Sequence, residues 1–220
     1  MHLILARHGN TFESSDQAVW VGSSTDIPLT DKGRDQAVAL GKALSSSKLD
    51  IAAAYSSPLK RATEHLEIAV STAGINAPIK SDLRLNEIDY GGWEGLNDAQ
   101  IREQCGEDQL SAWRDRSQWA SDWVTAEKAF RTDTRDFVKE LQSEHPLDSW
   151  ILCVSSNGRL RYFLDAIEGA FIKTLKESGL AMRTGNIALL ELTATSGKVQ
   201  FWNQPPQELA TFACTPSKGP

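Results

Sequence analysis

Cysteine is scarce in this 220-residue chain: Cys105, Cys153 and Cys214 are its three, with no CxxC pair and no Cys/His ligand spacing. Neither a disulfide framework nor a zinc site is suggested, and all three read as reduced thiols. Positive charge is also in short supply, with 23 lysines plus arginines against 29 aspartates plus glutamates and a formal net charge of -6. That balance discourages nonspecific attraction to nucleic acid or anionic lipid, so any basic site must be local. No apolar run approaches the roughly 20 residues that span a bilayer, and the first, residues 2–6, is too short for the core of a signal peptide. The expectation is a cytoplasmic protein with no membrane or nucleic-acid partner. Repeats are absent, and low complexity is confined to the serines at 45–47.

What is present is an ordinary globular composition, 40% hydrophobic and 24% charged, which excludes disorder, collagen and coiled coil. Residues 2–6 form a short apolar run of the kind that makes a strand buried on both faces, ending abruptly in Arg7 and His8. Thr30 offers an N-cap for a first helix carrying Ala37, Leu40, Ala43 and Leu44 at helical spacing. Residues 50–55 read as a second strand. Ser57-Pro58 then reads as N-cap and first helical residue, opening a helix with Leu59, Ala62, Leu66, Ala69 and Val70 on one face and its end at Ala73, before Gly74. From 96 to about 141 the pattern is polar and helical, with Trp113, Trp119, Trp123, Phe130 and Phe137 spaced for two or three helices wrapping one end of the domain; the tryptophans from 113 to 123 read as core, with a lid as the alternative. Residues 150–154 repeat the sequence of strand, polar turn and helix, the helix bringing Leu160, Phe163, Leu164 and Ile167 to its apolar side. Residues 186–192 and 198–202 read as a closing antiparallel hairpin.

Strands alternating with helices predict a three-layer α/β/α domain with a mostly parallel central sheet, whose ligand site lies beyond the carboxyl ends of the strands. The expected organisation is one domain over residues 1–204, with a helical subregion at about 96–145, followed by an extended tail over 205–220 containing Pro205, Pro206, Pro216 and Pro220.

Three polar turns converge at the strand ends. Arg7 after the first strand and Arg61 at the start of the second helix are two guanidiniums whose paired donors match phosphate oxygens, with free backbone N–H groups beside them. The alternative is a pair of surface salt bridges. His8 beside Arg7 suits a neutral imidazole nucleophile, although a lone histidine also serves simply as structure.

Four segments in order carry a specific resemblance: Arg7-His8-Gly9-Asn10-Thr11, then Asp26-Ile-Pro-Leu-Thr30-Asp-Lys-Gly33, then Ser56-Ser-Pro-Leu-Lys-Arg61-Ala62, then Leu85-Asn-Glu87-Ile-Asp-Tyr-Gly-Gly-Trp-Glu-Gly95. Over residues 2 to about 165 the chain resembles the histidine phosphatase superfamily, the phosphoglycerate-mutase-like proteins. The resemblance implies a phosphoryl transfer in which His8 attacks phosphorus while Arg7 and Arg61 hold the phosphoryl oxygens, with Glu87 protonating the leaving oxygen and then activating water. It implies a small phosphorylated substrate or inorganic phosphate as partner, no cofactor and no metal.

Two departures stand out. The family's second histidine, in a His-Gly-x-x-x-Arg pattern, aligns with Ser156 when Arg161 is matched; Ser156 and Asn157 would then donate neutral hydrogen bonds to phosphate where the family has an imidazolium. Loss of one such donor costs on the order of 10²-fold to 10³-fold in rate in other enzymes. Ser14 stands where many members have asparagine, and the usual Gly-Gly-Glu-Ser segment is not recognisable between Trp119 and Phe130. The expected function is a metal-independent phosphomonoester hydrolase of reduced activity, with mutase-type transfer or a catalytically quiet phosphate-binding protein as alternatives.

Overall fold

The computed structural model describes residues 1–214. Six strands form one sheet in the order β3 (Ile79–Ser81), β2 (Ile51–Ser56), β4 (Trp150–Ser155), β1 (His2–Arg7), β5 (Ile187–Leu192), β6 (Gly197–Gln204). The pairs β3·β2, β2·β4 and β4·β1 are parallel; β5 runs antiparallel to β1 and to β6. The sheet is therefore mixed and mostly parallel, as expected.

Alternation along β1 explains why the sheet is covered on both faces. Leu3 and Leu5 join Tyr55, Ile151 and Leu190 in a core against α5 (Glu127–Glu144), while Ile4 and Ala6 join Leu152, Val154 and Leu189 in a second core against α1 (Asp31–Ser47) and α2 (Lys60–Ala73). Neighbouring side chains on one strand thus serve opposite cores. A third, aromatic core holds Tyr90, Trp93, Trp113, Trp123, Phe130 and Tyr162 beneath α3 (Asp98–Cys105) and α4 (Glu107–Arg116). The helical region is three helices, and its tryptophans pack edge to face, Trp113 on Trp123 at 4.8 Å between ring centroids.

The first helix begins as its sequence predicts: Thr30 Oγ1 accepts the Gly33 N–H, and α1 follows. The second does not. Ser57 still belongs to the sheet, its N–H donating to the Val154 carbonyl, so Leu59 becomes the N-cap and α2 starts at Lys60. After β4 the chain makes one short turn, α6 (Asn157–Leu160), and a 3₁₀ segment (Arg161–Ala166) before α7 (Ala170–Glu177), rather than one continuous helix. The extended tail is also corrected. Helix α8 (Glu208–Cys214) buries Leu209 against the α1/α2 core, and Pro205 and Pro206 lie just before it, where proline is tolerated. Residues 215–220, including Pro216 and Pro220, lie outside the described residues. No helix among the described residues is long and apolar enough to cross a membrane.

Candidate active site

Register places three strand ends side by side. Arg7 pairs with Ser155 and Ser56 with Val154, and the His8 N–H continues the ladder by donating to the Ser155 carbonyl at 3.0 Å. His8 therefore leaves the sheet at its centre. The next residue can turn away only because it is glycine: a Cβ on Gly9 would fall 2.3 Å from the Gly33 carbonyl oxygen at the start of α1.

The His8 ring is 6% exposed, and its Nδ1–H donates to the Gly9 carbonyl at 2.8 Å. A carbonyl only accepts, so the proton sits on Nδ1 and Nε2 keeps its lone pair, with no protein partner among the described residues. Burial, then the charges of Arg61 and Arg7, hold the His8 pKa well below the usual imidazole value of 6.5, so the ring is neutral near pH 7.

Arg7 and Arg61 flank this ring. Arg7 donates from Nη1 to the Met182 carbonyl at 2.5 Å, and Arg61 donates from Nη1 and Nη2 to the carbonyls of Thr25 and Gly22 at 2.9 and 2.8 Å. Backbone carbonyls orient both guanidiniums without neutralising them. Burial lowers the pKa of each, and the charge of Glu87 opposes that shift. Glu87 is 6% exposed; its Oε1 accepts the Ile88 N–H and its Oε2 the Gly158 N–H, at 2.8 and 2.9 Å. Arg7, His8, Arg61 and Glu87 line one cavity of about 420 Å³. Arg7 and Glu87 also line an adjoining cavity of about 570 Å³, with Asn157, Tyr90, Trp113 and Arg161 on its other walls.

The structure thus brings four of the six expected site residues to one cavity and Asn157 to its neighbour. Asn157 Oδ1 accepts the Met182 N–H at 2.7 Å, so this side chain holds the residue whose carbonyl receives Arg7. Ser156 lines neither cavity; it is 2% exposed and its hydroxyl is buried without a partner.

Arg161 is the residue that the sequence reading used only to anchor a pattern. Its guanidinium donates to Ser117 Oγ at 2.6 Å, stacks over Trp113 at 4.0 Å, and is 2% exposed on the wall of the larger cavity. Its signal was its place one turn beyond Asn157. Arg159, by contrast, turns from the cleft. It is clamped by the carbonyls of Asn86 and Phe130 and by Thr134 Oγ1, and burial lowers its pKa to about 9. Among the described residues no three metal-binding side chains cluster.

Arg7, Arg61 and Arg161 form no salt bridge among the described residues; of the carboxylates that line the two cavities, Glu13, Asp98, Asp115 and Glu87, only Glu87 is buried beside them, and Asp98 is paired with Arg114. Such a surplus of shielded positive charge is a receptor for an anion. Residues 3–205 match the histidine phosphatase superfamily (branch 1). The chain belongs to that superfamily. Curated relatives named 2,3-bisphosphoglycerate-dependent phosphoglycerate mutase are 40% identical over 116 residues in Corynebacterium jeikeium and 36% identical over 113 in Streptococcus gordonii. Each match covers 51% of this superfamily member but only 44% and 48% of the relative. The chain therefore matches about half the length of these proteins. Among solved structures, Bacillus stearothermophilus YhfR is 26% identical with a TM-score of 0.74, covering 92% of this chain and 96% of that one. The fold is also that of a mycobacterial glucosyl-3-phosphoglycerate phosphatase, with TM-score 0.76, 22% identity and coverage of 92% and 98%. It is likewise that of the Shigella flexneri alpha-ribazole phosphatase, with TM-score 0.71, 24% identity and coverage of 93% and 96%.

Proposed function

We propose that this superfamily member is a metal-independent phosphomonoester hydrolase acting through a phosphohistidine on a small phosphorylated metabolite. The observation that carries the reading is His8: a neutral, Nδ1-protonated imidazole whose Nε2 is unpartnered in a cavity flanked by the guanidiniums of Arg7 and Arg61. In the first step the Nε2 lone pair forms a bond to phosphorus as the bond from phosphorus to the leaving oxygen breaks, and Glu87 in its acid form gives that oxygen a proton. In the second, water attacks phosphorus and gives a proton to Glu87; the P–N bond breaks and its electron pair returns to Nε2. Arg7 and Arg61 hold the phosphoryl oxygens throughout, and charge that develops there meets donors already in place. Asn157 offers a neutral amide from the wall of the adjoining cavity and Ser156 lines neither cavity, so no imidazolium stands at that place, which sets the rate below that of a site that has one.

Mutase-type transfer is the second reading, favoured by the curated relatives' names. Phosphoryl exchange between two positions of one substrate, faster than release of free phosphate, would select it. The primary test is hydrolysis of an aryl phosphate by wild-type and His8→Ala proteins, with acid-quenched samples assayed for an acid-labile phosphoenzyme. Turnover and phosphoenzyme that both vanish with His8 are the expected result. Binding of phosphate without either, across a panel of natural phosphate esters, would replace the hydrolase reading with that of a quiet binding protein.

A further inference from the structure

Helix α2 delivers two buried side chains to this region, one turn apart on one face. Arg61 enters the cavity, and His65, fully buried, reaches the loop that carries the nucleophile. His65 Nδ1 accepts the Gly9 N–H at 3.1 Å. An amide N–H only donates, so Nδ1 is the unprotonated nitrogen and the ring proton sits on Nε2, which is buried without a partner. Gly9 is thereby held at both of its peptide groups, the N–H by His65 and the carbonyl by the Nδ1–H of His8. The close approach of Gly33 confines the same residue from the side of α1.

We infer that His65 is a positioning residue for His8: by accepting the Gly9 N–H it anchors the peptide that joins His8 to Gly9. Gln36 Oε1, accepting the Asn10 N–H at 2.8 Å, anchors the next peptide, whose Gly9 carbonyl fixes the tautomer and orientation of the His8 ring. The inference rests on the reading of His8 as nucleophile. A histidine that loses its Nδ1 acceptor can place its proton on either nitrogen, and the Nε2–H form has no lone pair to offer phosphorus. Packing alone would not require a nitrogen at Nδ1. The hydrogen bond to Gly9 does.

The test compares His65→Asn, whose Oδ1 can take the place of Nδ1 as acceptor, with His65→Leu, which fills comparable space without one. Rapid-quench measurement of phosphoenzyme formation from an aryl phosphate should fall about tenfold or more in H65L with KM little changed, and recover in H65N, because a small misplacement of a reacting group is costly in rate. In parallel, nitrogen NMR of the His8 ring should report the Nδ1–H tautomer in wild type and H65N and a mixture in H65L. Equal rates and an unchanged tautomer in H65L, or an H65N protein as slow as H65L, would overturn the inference. The NMR arm needs no turnover, so it decides the role of His65 even if wild type forms no phosphoenzyme, an outcome that would sink the hydrolase reading instead. If H65L does not fold, H65M replaces it in both arms.

Discussion

Glu87 occupies space that Gly158 leaves open. A Cβ at Gly158 would stand 2.2 Å from Glu87 Oε1 and 2.8 Å from the Tyr90 hydroxyl, while the Gly158 N–H donates to Glu87 Oε2 at 2.9 Å. The same residue thus supplies both a donor and a vacancy. Gly158→Ala should displace the carboxylate and lower kcat by about 10²-fold, with the fold retained by circular dichroism. An alanine variant with wild-type turnover would separate Glu87's position from the reaction.

Glu87→Gln tests the proton rather than the position. The amide keeps an oxygen for one backbone N–H but cannot protonate the leaving oxygen. The rate of phosphoenzyme formation should drop far more with an alkyl phosphate, whose leaving group needs a proton, than with a nitrophenyl phosphate, whose leaving group does not. Equal losses on both would assign Glu87 another role.

Ser156 separates stability from binding. Its hydroxyl is buried with no protein partner, so Ser156→Ala removes no hydrogen bond from the described structure and should change unfolding free energy by less than about 1 kcal/mol. Phosphate affinity, read by calorimetry, should weaken if that hydroxyl donates to the bound anion. Unchanged affinity would remove Ser156 from the seat.

His65 also makes stability depend on pH. Burial lowers its pKa from 6.5 to about 4, so in the window between those values the unfolded chain binds the more protons. The stabilisation is fully present above pH 6.5 and is lost as pH falls towards 4, by about 3 kcal/mol for a shift of this size. His8, lowered chiefly by burial as well, acts in the same direction. Denaturant titrations across pH 4 to 7 should show the slope, and His65→Asn should flatten it.

The sheet strands with an apolar face were legible because burial on both sides leaves a continuous hydrophobic run, as at residues 2–6. Strand β3 was not, since all three of its residues are exposed at the sheet edge and carry no pattern. The start of α2 was misplaced because Ser57 and Pro58 are good helix openers by type, yet the Ser57 N–H is taken by the sheet. Prolines at 205 and 206 suggested an extended tail; what sequence periodicity over so few residues could not convey was that Leu209 would find the α1/α2 core. In the site, charge and motif picked out Arg7, His8, Arg61 and Glu87. Asn157's bond to Met182 and the inward turn of Arg159 depend on partners more than twenty residues away, which no local pattern records.

Arg159 joins parts that the chain order keeps apart. Its guanidinium lies 3.2 Å from the centre of the Phe130 ring, and its hydrogen bonds reach α5 through Phe130 and Thr134 and the loop before Glu87 through Asn86. Pulling that cation free would strand a charge in the interior, so α5 and the carboxylate loop shift together or not at all. The helical wall and the loop that carries Glu87 are consequently joined as one mechanical part. A substitution on the inner face of α5 that moves Phe130 or Thr134 therefore acts, through Arg159, on the backbone next to Glu87.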